Sequence, residues 1–171
     1  MLDRVILRPA EPNDLSDLAE LAYLSWEAGI LPLLEDRPGL RERERRRFAG
    51  YVSEALPRIV VATHDDEIVG WCSRGGRGRA YIPFLFVAPY MQHAGIGSAL
   101  LRRNESVFEM MGFDRVVLET PADHVDAVSF YQHQGYRILA MRPEGPGGPE
   151  PLQSVRLEKS LNPYRGPVED D

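Results

Sequence analysis

The pattern of apolar and polar residues in the first third of the chain predicts one strand followed by two helices. Residues Val5 to Ala10 alternate as a half-buried strand does. The next segment repeats apolar residues at helical spacing, and Asn13 or Asp14 can cap its start. Its shared apolar face consists of Leu15, Leu18, Ala22 and Trp26. Glycines and prolines interrupt the pattern over 29–39, and a second helix is expected over Leu40 to Leu56.

The later part of the chain combines short apolar runs with two helical segments. Two β-branched runs joined across His64 to Glu67 predict a β-hairpin. Apolar residues at helical spacing predict helices over Gly97 to Met111 and over 123–134, the second of which ends at Gly135. Further strands are expected at 80–87, 114–120, 136–143 and 154–161, with the Pro- and Gly-rich segment PEGPGGPEP before the last one.

This order of elements predicts a single mixed α/β domain over residues 1–161. A chain of 171 residues can bury one core and is short for two domains. Hairpins make the start of the sheet antiparallel, and the strand–helix–strand crossover around the third helix requires a parallel pair. Residues 162–171 have little apolar surface to bury, so we expect a flexible C-terminal tail.

Composition and charge exclude several classes of function. The net charge of −6 argues against a nucleic-acid-binding protein, which needs a basic surface. No apolar run approaches the roughly 18 residues that span a membrane, and the N-terminus lacks the apolar core of a signal peptide. The single cysteine, Cys72, rules out an internal disulfide framework and fits a reducing cytoplasm. We therefore expect a cytoplasmic protein with neither a membrane nor a nucleic acid as its partner.

Two groups of polar residues give little evidence of a functional site. The four histidines, which are His64, His93, His124 and His133, share no ligand spacing, so we expect no metal site. The run RERERRR, Arg41 to Arg47, could contact phosphate or RNA. Alternating charges on a solvated helix face explain this run more simply.

The segment QHAGIG, residues 92–97, places two glycines where a strand gives way to a helix. Such a turn commonly holds an anion against the free amides of the first helical turn. A Walker loop is excluded because Ser98 and Ala99 stand where Lys and then Ser or Thr are required. A Rossmann dinucleotide site is disfavoured because Leu100 replaces the third glycine, although Glu119 lies where the ribose-binding acid would be. The two glycines could also serve only to form a tight turn.

Two separate motifs resemble the GNAT N-acetyltransferase superfamily. The segment VAPYMQHAGIGSALL is similar to its acyl-CoA-binding motif, and the matching residues are Val87, Pro89, Gln92, Gly95, Ile96 and Gly97. The segment AVSFYQHQGYRIL resembles a later motif of the family, through Ala127, Phe130, Tyr131, Gly135 and Tyr136. One helix and one strand separate the two motifs, and the element order agrees over roughly residues 5–161. Together they favour this family over the dinucleotide alternative.

The resemblance implies a fold and a co-substrate. The fold would be a mixed, largely antiparallel twisted sheet of about six to seven strands, flanked by about four helices and parallel at the central crossover. The co-substrate would be acetyl-CoA as acyl donor, with its pyrophosphate on the amides of the glycine turn and with no metal. The implied acetyl-CoA-binding residues are Phe86, Val87, Gln92, His93, Ala94, Gly95, Ile96, Gly97, Ser98, His124 and Tyr131.

The resemblance also suggests which residues take part in the chemistry. Pro83 cannot donate to a strand ladder, so it marks a local break after which the backbones of Phe86 and Val87 would face the donor. The Val87 amide is then the candidate oxyanion donor, and Tyr131 the candidate acid for the departing thiolate. His124 stands where the family usually has Asn, so a ring nitrogen could replace that contact or the contact could be lost. Glu119 is a candidate base by its place in the sequence, although a surface acid at the end of a strand explains it more simply.

The acceptor is implied only as a primary amine of a small molecule or a peptide. The segments that would bind it are 23–39 and PEGPGGPEP, and the side chains that could hold an ammonium group are Tyr23, Trp26, Glu27 and Glu35. Trp26 could equally belong to the core. A non-catalytic acyl-CoA sensor of the same fold is the alternative function, and it would need no acid such as Tyr131. A homodimer paired through edge strands is an open alternative to a monomer.

Overall fold

The computed structural model describes residues 4–142 and 152–164. Four helices and eight strands are found in this part of the chain. The helices are α1 (Leu15–Gly29), α2 (Leu40–Ala55), α3 (Ile96–Met110) and α4 (Val125–His133). The strands are β1 (Val5–Pro9), β2 (Ile59–His64), β3 (Glu67–Ser73), β4 (Tyr81–Ile82), β5 (Leu85–Val87), β6 (Arg115–Pro121), β7 (Arg137–Arg142) and β8 (Ser154–Ser160). The predicted mixed α/β fold is confirmed.

The strands form two four-stranded sheets, in the orders β1-β2-β3-β5 and β4-β6-β8-β7. Within these sheets β4 and β6 are the parallel pair, with Tyr81 opposite Val117 and Ile82 opposite Leu118. All the other pairs are antiparallel. The parallel pair therefore lies at the crossover through α3, where the sequence predicted it.

The segment predicted as one strand over 80–87 forms two short strands that belong to different sheets. Strand β4 ends at Ile82 and pairs with β6, whereas β5 begins at Leu85 and pairs with β3. The change of partner falls on Pro83 and Phe84. Pro83 has no N–H group to donate, and proline is found at such interruptions of a sheet rather than within a continuous strand. This break turns the seven predicted strands into eight and separates β5 from β6.

Strand β2 is buried on both faces, and each face belongs to a different part of the core. Ile59 and Val61 pack in a cluster with residues of α1 and α2. Val60 and Ala62 point to the opposite face and pack in a second cluster with residues of α3 and β6. Since successive side chains of a strand alternate between faces, β2 joins the two halves of the core.

Helix α1 begins differently from the prediction. Asp14 occupies the N-cap position, but its side chain makes no capping hydrogen bond to the helix. Its carboxylate instead accepts two hydrogen bonds from the Arg8 guanidinium, at 2.7 and 3.0 Å, and one from the Glu11 N–H at 2.7 Å. Asp14 therefore ties β1 to the turn that leads into α1.

The basic run on α2 is mostly paired with acids on the protein's own surface. Arg41 contacts Asp36, and Arg45 donates to Glu20 of α1 at 2.7 Å. This arrangement agrees with the expected solvated helix face, except at Glu44 and Arg47, which turn inwards. No helix in the described ranges is both long and apolar enough to cross a membrane.

The predicted tail begins as an ordered segment. The Tyr164 N–H donates to the Glu109 carbonyl at 3.0 Å, which places residues 162–164 against the end of α3. The rest of the predicted tail, 165–171, lies outside the described residues. The predicted acceptor segment PEGPGGPEP, 143–151, lies outside them as well.

Candidate active site

A gap separates β5 from β6, and the backbone of β5 turns unpaired groups towards it. The Ser73 N–H donates to the Phe84 carbonyl at 3.0 Å, and the Ala88 N–H donates to the Val69 carbonyl at 2.8 Å. In an antiparallel pair the bonded positions alternate, so Phe86 also bonds to β3, through its partner Trp71. The N–H and C=O groups of the intervening residues, Leu85 and Val87, therefore point away from β3.

This alternation agrees with the prediction for Val87 and differs from it for Phe86. The Val87 amide faces the gap and is free to donate. The Phe86 backbone is directed at β3, and the aromatic side chain of Phe86 packs 5.0 Å from the Trp71 ring. Sequence alone could not separate the two residues, because the pairing register with β3 decides which amides are free.

A cavity of about 470 Å³ lies against this gap. Its walls come from the C-terminal part of α1, from α2, from β5, from the end of β6 and from the start of α4. Among the residues predicted from the sequence, it brings together Phe86, Val87, Gln92, Glu119, His124 and Tyr131. Residues distant in the chain thus share one chamber.

The glycine turn lies beside the cavity and begins α3. Gly95 has a φ of 82°, a left-handed conformation that favours glycine, and the first helical hydrogen bond runs from the Ala99 N–H to its carbonyl at 3.0 Å. The amides of Ile96, Gly97 and Ser98 precede that bond and have no partner within the helix. His93 and Ala94 belong to the same turn. None of 93–98 is among the described residues that line the cavity.

Gly97 lies in a tightly packed part of this turn. A Cβ atom at this position would lie 3.3 Å from Cζ of Phe130 and 3.6 Å from Cγ2 of Val87. The absence of a side chain lets α4 and β5 pack against the start of α3. Phe130 is thus a packing residue between α4 and the start of α3.

Tyr131 places its phenol at the cavity wall. Its ring packs 5.2 Å from Phe130 and 5.8 Å from Tyr136. Within the described residues the hydroxyl has no hydrogen-bond partner. Burial raises the pKa of Tyr131 above its ordinary value. The phenol is therefore neutral at physiological pH and able to donate a proton or a hydrogen bond.

His124 caps α4 and also lines the cavity. Its Nδ1 accepts a hydrogen bond from the Ala127 N–H at 3.1 Å. A nitrogen that accepts carries no proton, so in the neutral ring the proton lies on Nε2. The Nε2 atom lies 2.9 Å from the point where a Cβ on Gly29 would be, which shows that α4 and α1 approach closely here.

Glu119 is a largely buried member of the cavity wall. Its side chain is 10% exposed, and its Oε1 accepts a hydrogen bond from Nη1 of Arg142 at 2.7 Å. It is therefore not a freely solvated acid at the end of a strand, which was the alternative from the sequence. The ion pair with Arg142 restrains the carboxylate beside Thr120 and Pro121.

Comparisons with known proteins agree with this geometry. The sequence model of the Acetyltransferase (GNAT) family matches residues 16–136, which is most of the chain. The chain belongs to the GNAT acetyltransferase family. A GCN5-related N-acetyltransferase structure from Rhodopseudomonas palustris superposes with a TM-score of 0.72 at 23% identity, over 91% of this chain and 95% of that one.

Two further relatives of this GNAT protein differ in how much they match. The PaiA N-acetyltransferase of Thermoplasma acidophilum, solved in complex with coenzyme A, superposes with a TM-score of 0.72 at 20% identity, over 92% of this chain and 99% of that one. The uncharacterized protein YdhI of Bacillus subtilis (strain 168) is 38% identical over 53 residues, which are 31% of this chain and 33% of that protein. The match with YdhI thus spans about a third of that protein's length.

Most residues predicted to hold an amine lie outside the cavity of this GNAT domain. The Tyr23 hydroxyl donates to Glu27 at 2.7 Å, and Glu35 pairs with Arg37 at the surface. Trp26 is 4% exposed, belongs to the core and still contributes to the cavity wall. In the described ranges no group of three or more His, Cys, Asp or Glu is placed to hold a metal ion.

Sequence reasoning missed several wall residues of the GNAT cavity, chiefly Ser25, Arg47, Phe48 and Phe84. For the wall residues on α2, the sequence did contain an indication. Leu40, Glu44 and Phe48 follow each other at intervals of four, so Glu44 lies on the buried stripe of α2. A charge inside such a stripe indicates a paired or functional group rather than a solvated one.

Proposed function

We propose that this protein transfers the acetyl group of acetyl-CoA to a primary amine, by direct attack of the amine in a ternary complex. The observation that carries this proposal is the free Val87 amide, which faces the gap in the same cavity as the Tyr131 phenol. One group can stabilise an oxyanion and the other can protonate a leaving thiolate. A non-catalytic acyl-CoA sensor would need neither.

The donor would occupy the gap between β5 and β6. The free backbone groups of Leu85 and Val87 would hydrogen-bond to the amides of its pantetheine arm, as a neighbouring strand would. The unpaired amides of Gly97 and Ser98, with the positive end of the α3 dipole, would hold the pyrophosphate. The coenzyme A bound to the Thermoplasma PaiA protein, which shares the fold, supports this choice of co-substrate.

The chemistry would run in two steps. The amine nitrogen attacks the thioester carbonyl, and the electron pair displaced onto oxygen is stabilised by the Val87 N–H. The C–S bond then breaks, and the Tyr131 hydroxyl gives its proton to the thiolate sulfur. The amine loses a proton in the same sequence, and Glu119 is our candidate to accept it, either directly or through water. The products are an acetamide and free coenzyme A.

His124 would donate from Nε2 to the donor or acceptor in the cavity, in place of the usual Asn. The buried thiol of Cys72 fits work in a reducing cytoplasm. A homodimer remains a prediction, and the exposed residues Ile138 and Met141 on the edge strand β7 offer a surface for it.

Thiol release tests the proposed reaction. The protein is incubated with acetyl-CoA and a mixture of primary amines, and the free thiol is followed while N-acetylated products are identified by mass spectrometry. We expect thiol release that depends on an amine, together with one or more acetylated amines. Tight acetyl-CoA binding without either product would support the sensor instead.

A further inference from the structure

Among the described residues that line the cavity, Arg47 is the one arginine or lysine. It reaches the cavity from α2. Its side chain is 32% exposed, so a ligand can reach the guanidinium. The two acids of the wall, Glu119 and Asp126, lie on β6 and α4. Among the described lining residues, the one arginine or lysine therefore lies on a different element from the two acids.

Glu44 fixes the guanidinium in one orientation. Its Oε2 accepts from Nε of Arg47 at 2.9 Å and from Nη2 at 2.7 Å. The Glu44 side chain is fully buried, and its Oε1 has no partner among the described residues. If Arg47 swung away, a buried carboxylate would lose its compensating charge. The arginine is therefore held in place before any ligand arrives.

The free edge of the guanidinium is left for a ligand. An arginine has five N–H donors, and Glu44 uses two of them, which leaves three. Within the described ranges those three have no protein partner. Two aromatic rings hold the guanidinium as well, with its Cζ 4.8 Å from the centre of Phe48 and 5.8 Å from the centre of Phe84.

A second polar group of the same cavity lacks a partner. Ser25 lies on α1, and its Oγ is buried without a hydrogen bond to any described residue. A buried hydroxyl is usually hydrogen-bonded, so the unsatisfied Ser25 Oγ, on a residue of the cavity wall, indicates a partner that the described residues do not supply. Two ion pairs join α1 to α2, and they are Arg45–Glu20 and Arg41–Glu27. Ser25 lies between the two acids along α1, and Glu44 lies between the two arginines along α2.

From these observations we propose that the acceptor amine also carries a carboxylate, and that Arg47 and Ser25 bind this carboxylate on the α1–α2 side of the cavity. The proposal rests on the proposed acetyl transfer and names its substrate class: a small amino acid rather than a peptide N-terminus. The planar guanidinium fork matches a carboxylate, and the apolar walls made by Trp26, Phe48 and Phe84 suit an uncharged side chain.

The pyrophosphate of the donor is not the partner of Arg47. The amides that suit a pyrophosphate lie at the start of α3, in the glycine turn, which is not part of the cavity wall. Arg47 belongs to α2, beside Phe48 and Phe84. Loss of Arg47 should consequently affect the acceptor and leave the KM for acetyl-CoA unchanged.

The test compares each amino acid of a panel with its own primary amide, which keeps the shape, removes the negative charge and mimics a peptide N-terminus. Acetylation is measured for the wild type and for Arg47→Gln. We expect Arg47→Gln to lower kcat/KM for the acids by about 10- to 100-fold and for the amides by less than about threefold. Ser25→Ala should lower kcat/KM for the acids by about three- to tenfold.

Two further variants control for structure. Glu44→Gln combined with Arg47→Gln avoids leaving Glu44 as an unpaired buried charge, and it should show the same selective loss if Arg47→Gln alone folds poorly. Arg46→Gln removes the same charge from the exposed neighbouring position and should leave both substrate classes unchanged. An equal loss for acids and amides, or a loss in the KM for acetyl-CoA, would overturn the proposal.

A binding measurement separates the failure of this proposal from failure of the proposed function. If neither class is acetylated, the transferase proposal fails, and calorimetry with N-acetylated amino acids and their amides decides the carboxylate site. We expect the acids to bind the wild type at least about tenfold more tightly than the amides, and to lose this preference in Arg47→Gln. Equal binding of acids and amides to the wild type would overturn the proposal.

Discussion

Tyr131 combines burial with a hydroxyl that has no partner among the described residues, and this combination decides what it can do. A buried phenol resists ionisation, so it stays protonated and can donate a hydrogen bond or its proton to a thiolate that forms beside it. The family motif predicted the position of Tyr131 from the sequence. Its environment follows from the packing of Phe130 and Tyr136, which no local pattern states.

The Tyr131→Phe variant tests this role. The substitution removes one hydroxyl and keeps the ring contacts, so the fold and the KM for acetyl-CoA should change little. The turnover rate should fall by about 10²- to 10⁴-fold, which is the usual contribution of a positioned general acid. In the wild type no loss of activity should arise from this group below about pH 10, because burial raises its pKa. Full turnover in the variant, with chemistry shown to limit the rate, would make Tyr131 a packing residue.

His124 and Arg47 show why some single residues could not be assigned from sequence. His124 resembles a ligand-contacting position, yet its Nδ1 caps α4, and only the three-dimensional turn reveals that bond. Arg47 ends a run of charges that is largely solvated, and the helical phase of Glu44 is what turns the pair inwards. In both cases the sequence showed the type of side chain but not the group that it contacts.

Among the elements, the start of α1 depends on the contact between Arg8 and Asp14. The hydrogen bonds from Arg8 hold the pKa of Asp14 below its ordinary value of 3.8. A carboxyl whose pKa is lowered by folding stabilises the protein above that ordinary value, and the stabilisation is lost as pH falls through the folded pKa. The sequence suggested a helix cap at this position, and the structure replaces it with a link between β1 and α1.

The Asp14→Asn variant should therefore be less stable than the wild type by about 1.5–3 kcal/mol at neutral pH. The difference should shrink as pH falls below about 4, because the wild-type carboxyl also becomes neutral. Melting temperatures of both proteins between neutral and acidic pH give this comparison. Asp17→Asn, an exposed change in the same helix, should cost less than about 0.5 kcal/mol. A difference for Asp14→Asn that persists unchanged in acid would contradict this account.

Strands β4 and β5 show what could be predicted at the scale of elements. The imino nitrogen of Pro83 excludes one hydrogen bond, so a break was predictable from the residue itself. Which backbone amides face the gap was not predictable, because that depends on which strand β5 pairs with. In this register the Phe86 amide is hydrogen-bonded to β3, and the Val87 amide points away from β3.

At the scale of the whole molecule, the cavity lies where the two sheets part. One sheet supplies β5 and the other supplies β6, while α1, α2 and α4 close the sides. The order of elements predicted the fold class and the parallel crossover. It could not predict the chamber itself, because five elements distant in sequence meet there only after the core on both faces of β2 has formed.

The central claim is that the gap between β5 and β6, with the glycine turn beside it, binds acetyl-CoA. Calorimetric titration of acetyl-CoA tests it most directly, using the wild type, Gly97→Glu and the control Gly50→Glu. The control adds the same side chain at a position where a Cβ atom would have no tertiary neighbour within 4 Å. We predict binding at a single site in the wild type and the control. Affinity should fall by at least about 100-fold in Gly97→Glu, whose carboxylate would repel the pyrophosphate at the α3 amides. NAD should give no binding. A wild type that binds NAD instead of acetyl-CoA, or a folded Gly97→Glu variant with unchanged affinity for acetyl-CoA, would contradict the account.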